Sequence, residues 1–545
     1  MSKVAQYLQE HLQGEVMASA EARRYFSTDA SIFKVVPAMV VYPRNENDVR
    51  KTARFSWQLA ERGRIIPLTA RGLGTDQSGA AIGTGIMLVF PAHMNKLLEL
   101  DGKTGDVSIE PGMTYGKLQQ ALYTHGRFLP PAPTSLEYSS VGGAIANNAS
   151  GERSYKYGTT RRYVKRLRVV LANGEVIETR RLSKREVNKK LGLTSLEGDI
   201  YRGLDKLFEE QHELIKKTML PVSKNSAGYA IAEVKNKDGS VDLSPLFVGS
   251  QGTLGIVTEA MLSTEPHNPS TTLIVALIDD LQTAQTVISE IQSLSERPAL
   301  VEMVDSELLN LVQKEQPTLL KGVLEPPFPK IALFVEYDNQ NDRHQKKGAK
   351  QLQKLLKKHQ IIYKLETDPE QKEQLWRIRE SVAVVLAHQE GESRSLPIIE
   401  DGIVPIDKLS GLIGALYQLF SAYNLPVAIW GHAGDGHLHV QPTLDLASVG
   451  DRQKIFKLLE DYYSLILSLG GSTTGQHGDG RLRAPFLERL YGPDAYQVFK
   501  YIKQLFDPFG ILNPGVKVGV TMEDIKPLLR QEYSLTHLYD HLPRS

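Results

Sequence analysis

The sequence predicts an α+β protein of more than one domain, and three observations carry that reading. Its 545 residues exceed what one hydrophobic core sustains and point to about three or four domains. An early βαβ pattern runs straight into a glycine loop. Later, residues 268–470 alternate apolar strands with amphipathic helices, the pattern of ferredoxin-like units with an antiparallel sheet and helices on one face.

Composition narrows the function before any motif is read. The chain is 41% hydrophobic and 23% charged, as in an ordinary globular protein. Lys+Arg number 64 against 63 Asp+Glu, so no global field points to nucleic acid or an acidic membrane. The absence of cysteine excludes disulfides, zinc–thiolate sites, iron–sulfur clusters and a cysteine nucleophile, and it fits a reducing, cytoplasmic setting. The first 26 residues carry Glu10, Glu15 and Glu21 without a long apolar core, unlike a secretory or transit peptide. No apolar run is long enough for a membrane span, which leaves peripheral association and a homodimer open.

Taken in order, residues 1–34 read as an amphipathic helix and a polar loop. Val35–Tyr42 is a strand; Asn45 caps a helix over 46–61, with Val49, Ala53, Trp57 and Ala60 at helical spacing. A second strand, Arg64–Ala70, enters Arg71-Gly72-Leu73-Gly74-Thr75. This loop lacks the third glycine of a dinucleotide fingerprint and no helical pattern follows it, but its amides can cradle an anion and Arg71 adds a charge. Pro130–Ser135, with Thr134, leads into Val141–Gly151, whose run of small residues, Gly142 and Gly143 among them, serves where backbone approaches something closely. Asn173-Gly174 joins the strands Val164–Ala172 and Glu175–Thr179 as a hairpin. Residues 183–219 are a charged helical excursion, and Leu246–Val257 closes the first region near Thr264.

The last quarter concentrates ligand-type side chains. His432, His437 and His439, three of 14 histidines, fall around Gly434-Asp435-Gly436 between two apolar, β-prone runs. The spacing predicts a strand–turn–strand hairpin with His437 and His439 on one face. A second glycine turn, 470–480, carries Gln476 and His477. Two such turns predict one site assembled from both, since imidazole suits metal ligation and proton transfer near neutral pH.

Six motifs occur in order: Arg71–Thr75, the run from Thr134 to Gly151, Tyr157-Gly158-Thr159-Thr160, Ala172–Thr179, Gly249–Ala260 and Phe506–Gly515. Together they resemble the FAD-linked oxidoreductases of the vanillyl-alcohol oxidase / p-cresol methylhydroxylase type, in the D-lactate, glycolate and D-2-hydroxyglutarate dehydrogenase branch. The resemblance spans about residues 20–520 and implies a two-part FAD-binding domain over 35–265, a substrate-binding cap over 266–470, a segment over 471–520 returning to the flavin, and a tail over 521–545. It implies FAD held by Arg71, Gly72, Leu73, Gly74, Thr75, Thr134, Gly142, Gly143, Asn147, Gly158, Ile256, Val257 and Asn513. No histidine lies in the first loop to carry the flavin covalently, so the FAD is expected to dissociate.

The resemblance further implies oxidation of a D-2-hydroxy acid to the 2-oxo acid, with His477 as base and Arg379, on a helix from about Pro369, clamping the substrate carboxylate; Arg377 points elsewhere. His432 and His439 match metal ligands of the branch, but its glutamate ligand is Gln476 here, so zinc or another divalent metal is expected to bind weakly or not at all. A lysine of the branch is Ile399, an asparagine is Gln441, and His437 replaces another asparagine, where a hydrogen bond is the simpler reading and metal ligation the sharper. These departures keep two rivals open: a metal-independent alcohol-oxidising flavoprotein, and a degenerate flavin-binding subunit of a redox complex. The electron acceptor leaves no motif.

Overall fold

The residues from Lys3 to Ala60 show how the first layer assembles. The computed structural model describes residues 3–382, 389–390 and 393–538. Helix α1 (Lys3–His11) leads to strand β1 (Glu15–Met17) and helix α2 (Ala20–Tyr25). The segment read as helix and polar loop therefore adds a strand, paired antiparallel to β2 (Met39–Tyr42). The reason is one carboxylate: Asp48 accepts the amides of Gln13, Gly14 and Arg44 and pins the segment before β1 to the one after β2. Asn45 caps α3 (Glu46–Ala60) through the Asp48 amide, and Val49, Ala53 and Ala60 are buried, with Trp57 edge-on to Phe509. Strands β3 (Leu68–Arg71) and β4 (Ile86–Val89) complete a four-stranded sheet in the order β1-β2-β4-β3, with β2, β4 and β3 parallel.

A second lobe holds β5 (Leu97–Leu100), β6 (Val107–Ile109), β7 (Val164–Val170), β8 (Val176–Thr179) and β9 (Ile256–Leu262), antiparallel in the order β5-β6-β9-β7-β8. The hairpin at Asn173-Gly174 joins β7 to β8. Helix α4 (Val141–Asn147) starts at Ser140, whose hydroxyl accepts the Gly143 amide. Three helices between 184 and 217 form the charged excursion.

The cap is a six-stranded antiparallel sheet. Its strands are β10 (Thr272–Ile278), β11 (Leu300–Asp305), β12 (Ile331–Tyr337), β13 (Ile362–Glu366), β14 (Ile429–His432) and β15 (His437–Val440), in the order β13-β10-β12-β11-β14-β15. Helices cover both of its faces, not one. Ile274 and Ala276 pack with α5 (Leu281–Ile291), α7 (Asp342–Lys358) and α9 (Leu409–Ala422), whereas Leu273 and Val275 pack with α6 (Ser306–Glu315) and α8 (Pro369–Glu380). The cause lies in the strands themselves: Thr272–Ile278 and Ile331–Tyr337 are continuous apolar runs, which need cover on each side.

The chain then returns to the flavin domain through α10 (Pro493–Phe506). The tail packs too: Arg530 N bonds Ile32 O, Lys34 N bonds Leu528 O, and Tyr533 donates to Ala30 O. Residues 539–545 of the predicted tail lie outside the described residues. Among those described, no helix is long and apolar enough to cross a membrane.

Candidate active site

Strand β3 ends where its sheet stops and delivers residues 72–75 to a crevice between the two lobes. Gly72, Leu73, Gly74, Thr75, Gly143 and Asn147 line it, and an adjoining part is lined by Arg71, Gly142, Ile256 and Val257. A Cβ on Gly72 would lie 2.2 Å from Ser140 Oγ, so only glycine lets loop and helix meet; at Gly143 the only atom within 4 Å is that hydroxyl, at 3.1 Å, and the rest of that side is open crevice. The loop at residues 72–75, rather than the start of α4, offers the cradle a pyrophosphate needs, since the first amides of the helix are taken by Met113 O, Pro111 O and Ser140 Oγ.

The remaining predicted cofactor residues take other places. Arg71 braces the loop from beneath, its Nη1 donating to Thr28 O and Ala81 O at 2.8 and 3.1 Å. Asn513 is buried behind the crevice, its amide donating to Ala80 O and Gln251 O. Thr134 is exposed between Pro133 and Ser135, which line the crevice. Gly158 lines a separate cavity with Arg161, Lys224 and Tyr491.

At the crevice wall stand Gln476 and His477. The Nδ1 of His477 is 2.6 Å from Glu400 Oε1, and its amide donates to Asp401 Oδ2 at 2.8 Å. Burial works to lower the imidazole, but the Glu400 and Asp401 carboxylates outweigh it and raise His477 to about 9. Burial likewise works against Glu400, yet His477, His439 and Arg483 hold its carboxyl well below the usual range; Arg483 Nη2 lies 2.7 Å away.

The hairpin β14–β15 forms as its sequence predicts, with His432 opposite His437 and Trp430 opposite His439. Gly436 turns it at φ +71°, where a Cβ would strike Val404 O at 2.2 Å. Its three imidazoles converge: one ring nitrogen from each lies within 4.8 Å of the others. Register does the rest. β11 pairs with β14 and brings Glu302 Oε1 to 2.6 Å from His432 Nδ1. Asp401 Oδ1 lies 2.8 Å from His437 Nε2, and Glu400 Oε2 lies 3.3 Å from His439 Nδ1.

Arg379, near the end of α8, reaches the same cluster. Its Nε and Nη2 donate to Glu302 Oε2 at 3.1 and 3.0 Å, so Glu302 bridges Arg379 and His432; burial raises that carboxyl to about 6, with Arg379 opposing. Arg377 is exposed, as its spacing predicts. Ile399 is core, and Gln441 accepts from Ser395 Oγ.

Four site residues escaped the sequence reading. The acidic pair Glu400-Asp401 before Gly402 was visible but carried no assignable role. Glu302 had a signal, a lone charge inside the apolar strand Leu300–Val304. Lys224 had none: it is buried, donating to Ser150 Oγ and Ser154 Oγ at 2.9 Å and to Gln476 Oε1 at 3.3 Å.

Two α+β lobes around a glycine-lined crevice, an antiparallel cap sheet beside them, and His477 of the returning segment at the crevice wall are the architecture of an FAD-dependent oxidoreductase of the p-cresol methylhydroxylase type. The fold matches 4-ethylphenol oxidase from Gulosibacter chungangensis with a TM-score of 0.67 at 16% identity, over 95% of this chain and 97% of that one. It also matches alkyldihydroxyacetonephosphate synthase, with a TM-score of 0.62 at 16% identity over 94% and 86%. The family models of an FAD binding domain and of the C-terminal domain of FAD linked oxidases match residues 37–180 and 267–516. The glycolate oxidase subunit GlcD of Bacillus subtilis is 30% identical over 91% of this chain and 92% of its own length. D-2-hydroxyglutarate dehydrogenase of Pseudomonas putida is 28% identical over 92% of this chain, which spans 50% of that protein, and D-lactate dehydrogenase of Archaeoglobus fulgidus is 27% identical over 88% and 90%. The chain belongs to the FAD-linked oxidases, and FAD is its cofactor.

Proposed function

We propose that this protein oxidises a D-2-hydroxy acid of the lactate, glycolate or 2-hydroxyglutarate kind to the 2-oxo acid. One observation carries the reading: His477 lines the same crevice as the glycine loops, so an imidazole stands where cofactor and substrate meet. The names of the relatives support the substrate class.

FAD, when bound, supplies a hydride acceptor. The chain's own residues do the rest. Glu400 holds His477 by Nδ1, which leaves Nε2 to take the substrate's hydroxyl proton. The α-hydrogen departs with its electron pair, and the carbon–oxygen bond becomes a carbonyl. Arg379 holds the substrate carboxylate by its planar guanidinium, whose pairing with Glu302 fixes its orientation beforehand. The FAD is held without a covalent bond, since the loop carries no histidine.

The test is product identity. Incubation with a D-2-hydroxy acid and an artificial electron acceptor forms one 2-oxo acid per acceptor reduced by two electrons, and the L-enantiomer forms little. No 2-oxo acid from any D-2-hydroxy acid, with FAD bound and the acceptor present, overturns the reading.

A further inference from the structure

Arg379 is not a free cation. Its Nε and Nη2 both donate to Glu302 Oε2, and its Nη2 also lies 3.7 Å from Glu152 Oε1. That second distance is too long for a hydrogen bond, so Glu152 meets the guanidinium through charge alone. The Glu302 side chain is fully buried, whereas that of Glu152 is 34% exposed. Glu302 therefore closes the guanidinium from the protein side, and Glu152 stands on its open side. The chain puts it there from the crevice wall: Ala149 lines the crevice, Ser150 Oγ donates to Gln476 Oε1, and Glu152 follows two residues later. Among the described residues Arg379 is its one ion-pair partner, and it accepts no hydrogen bond. A carboxylate that serves structure is held by hydrogen bonds; this one contributes only its charge.

Charge at this spot stands at one guanidinium against two carboxylates. Arg153, the other cation acting on Glu152, is spent on Glu336 Oε1 at 2.7 Å and Asp338 Oδ2 at 3.2 Å. Burial pushes the Glu152 carboxyl above its ordinary range, with Arg379 opposing and Glu302 adding to the rise. The same shortage of positive charge acts on any further anion brought beside it. A substrate monocarboxylate brings one negative charge and gains the guanidinium in return. A dicarboxylate brings a second charge that finds no cation, in a site where burial leaves the repulsion largely unscreened.

We propose that Glu152 is a specificity-determining residue that sets the substrate class: a 2-hydroxy monocarboxylate is taken and a 2-hydroxy dicarboxylate is repelled. The inference rests on the reading of Arg379 as the carboxylate clamp. Among the acids of that reading it selects lactate or glycolate over 2-hydroxyglutarate, by a repulsive element and not by a new contact.

The experiment is calorimetric titration of the FAD-loaded protein with pentanoate and with glutarate. The two share a chain length and lack the hydroxyl, so neither can be oxidised. At about pH 8 the Glu302 carboxyl, raised to about 6, is ionised. The unaltered protein should bind pentanoate at least about tenfold more tightly than glutarate. Glu152→Gln, the same shape without the charge, should bring the two within about threefold, chiefly by tightening glutarate. With D-2-hydroxyglutarate as substrate, that variant should lower KM with little change in kcat, because the charge acts on binding and not on hydride transfer. Flavin content reports folding. Equal binding of both anions by the unaltered protein, binding of neither, an unmoved ratio in folded, yellow Glu152→Gln, or a gain confined to kcat overturns the proposal. The D-2-hydroxy acid reading fails on a different result, the absence of 2-oxo acid from every D-2-hydroxy acid.

Discussion

Lys224 Nζ donates to Gln476 Oε1 across 3.3 Å, although 252 residues separate them in sequence. The ammonium is buried, also 3.7 Å from Asp435 Oδ2, and burial lowers its pKa while Asp435 opposes the shift. Lys224→Met leaves the Asp435 carboxylate buried without its cation. The holoprotein should lose about 3 kcal/mol, the lower end for breaking a buried pair, because the ions are not in close contact. Urea unfolding followed by circular dichroism checks this; an unmoved midpoint means the lysine is neutral in place.

His477 carries its proton at neutral pH, being raised to about 9. As a base it must first lose that proton. The rate of flavin reduction by substrate should therefore rise roughly tenfold per pH unit toward about 9 and level off above it. His477→Ala should retain flavin, slow reduction by at least about 100-fold and flatten the profile. Stopped-flow traces across the pH series decide; a wild-type rate in the variant moves the proton elsewhere.

Gly143 separates a cradle from a turn. A side chain there enters the crevice, whereas at Gly142 it would strike Pro111 Cβ at 2.6 Å and disturb the fold itself. Gly143→Val should purify folded and colourless. Acid precipitation should release flavin into the supernatant from the unaltered protein and none from the variant, and a normal yield from the variant would reduce the loop to a connector.

The C-terminal segment reaches the flavin loop. His537 Nε2 donates to Gly74 O at 3.0 Å, and Tyr25 OH donates to His537 O at 3.2 Å. His537→Ala removes one hydrogen bond from the loop, worth about 1 kcal/mol, so FAD should bind roughly fivefold more weakly. Fluorescence titration of the apoprotein with FAD measures it, and an unchanged Kd assigns the segment to stability alone.

Local chemistry was legible in the sequence. The Asn45 cap, the hairpin at Asn173-Gly174 and the histidine hairpin each depend on residues a few positions apart, where propensity and spacing decide. What surrounds the histidines was not, because Glu302 lies 130 residues from His432 and is brought there only by the pairing of β11 with β14. Lys224 sits on a loop with no periodicity to read. The two-sided cover of the cap sheet could have been read from Thr272–Ile278, whose unbroken apolar run differs from the alternation of a one-sided sheet.

In the proposed reaction, hydride leaves a D-2-hydroxy acid for the flavin bound in this crevice. Anaerobic mixing of the holoprotein with D-lactate, glycolate and D-2-hydroxyglutarate, with the visible flavin absorbance recorded, tests it most directly. At least one should bleach the yellow band fully without any added acceptor, and its 2-oxo product should match the flavin reduced. A flavin that stays yellow with all three while dithionite bleaches it at once would contradict this reaction.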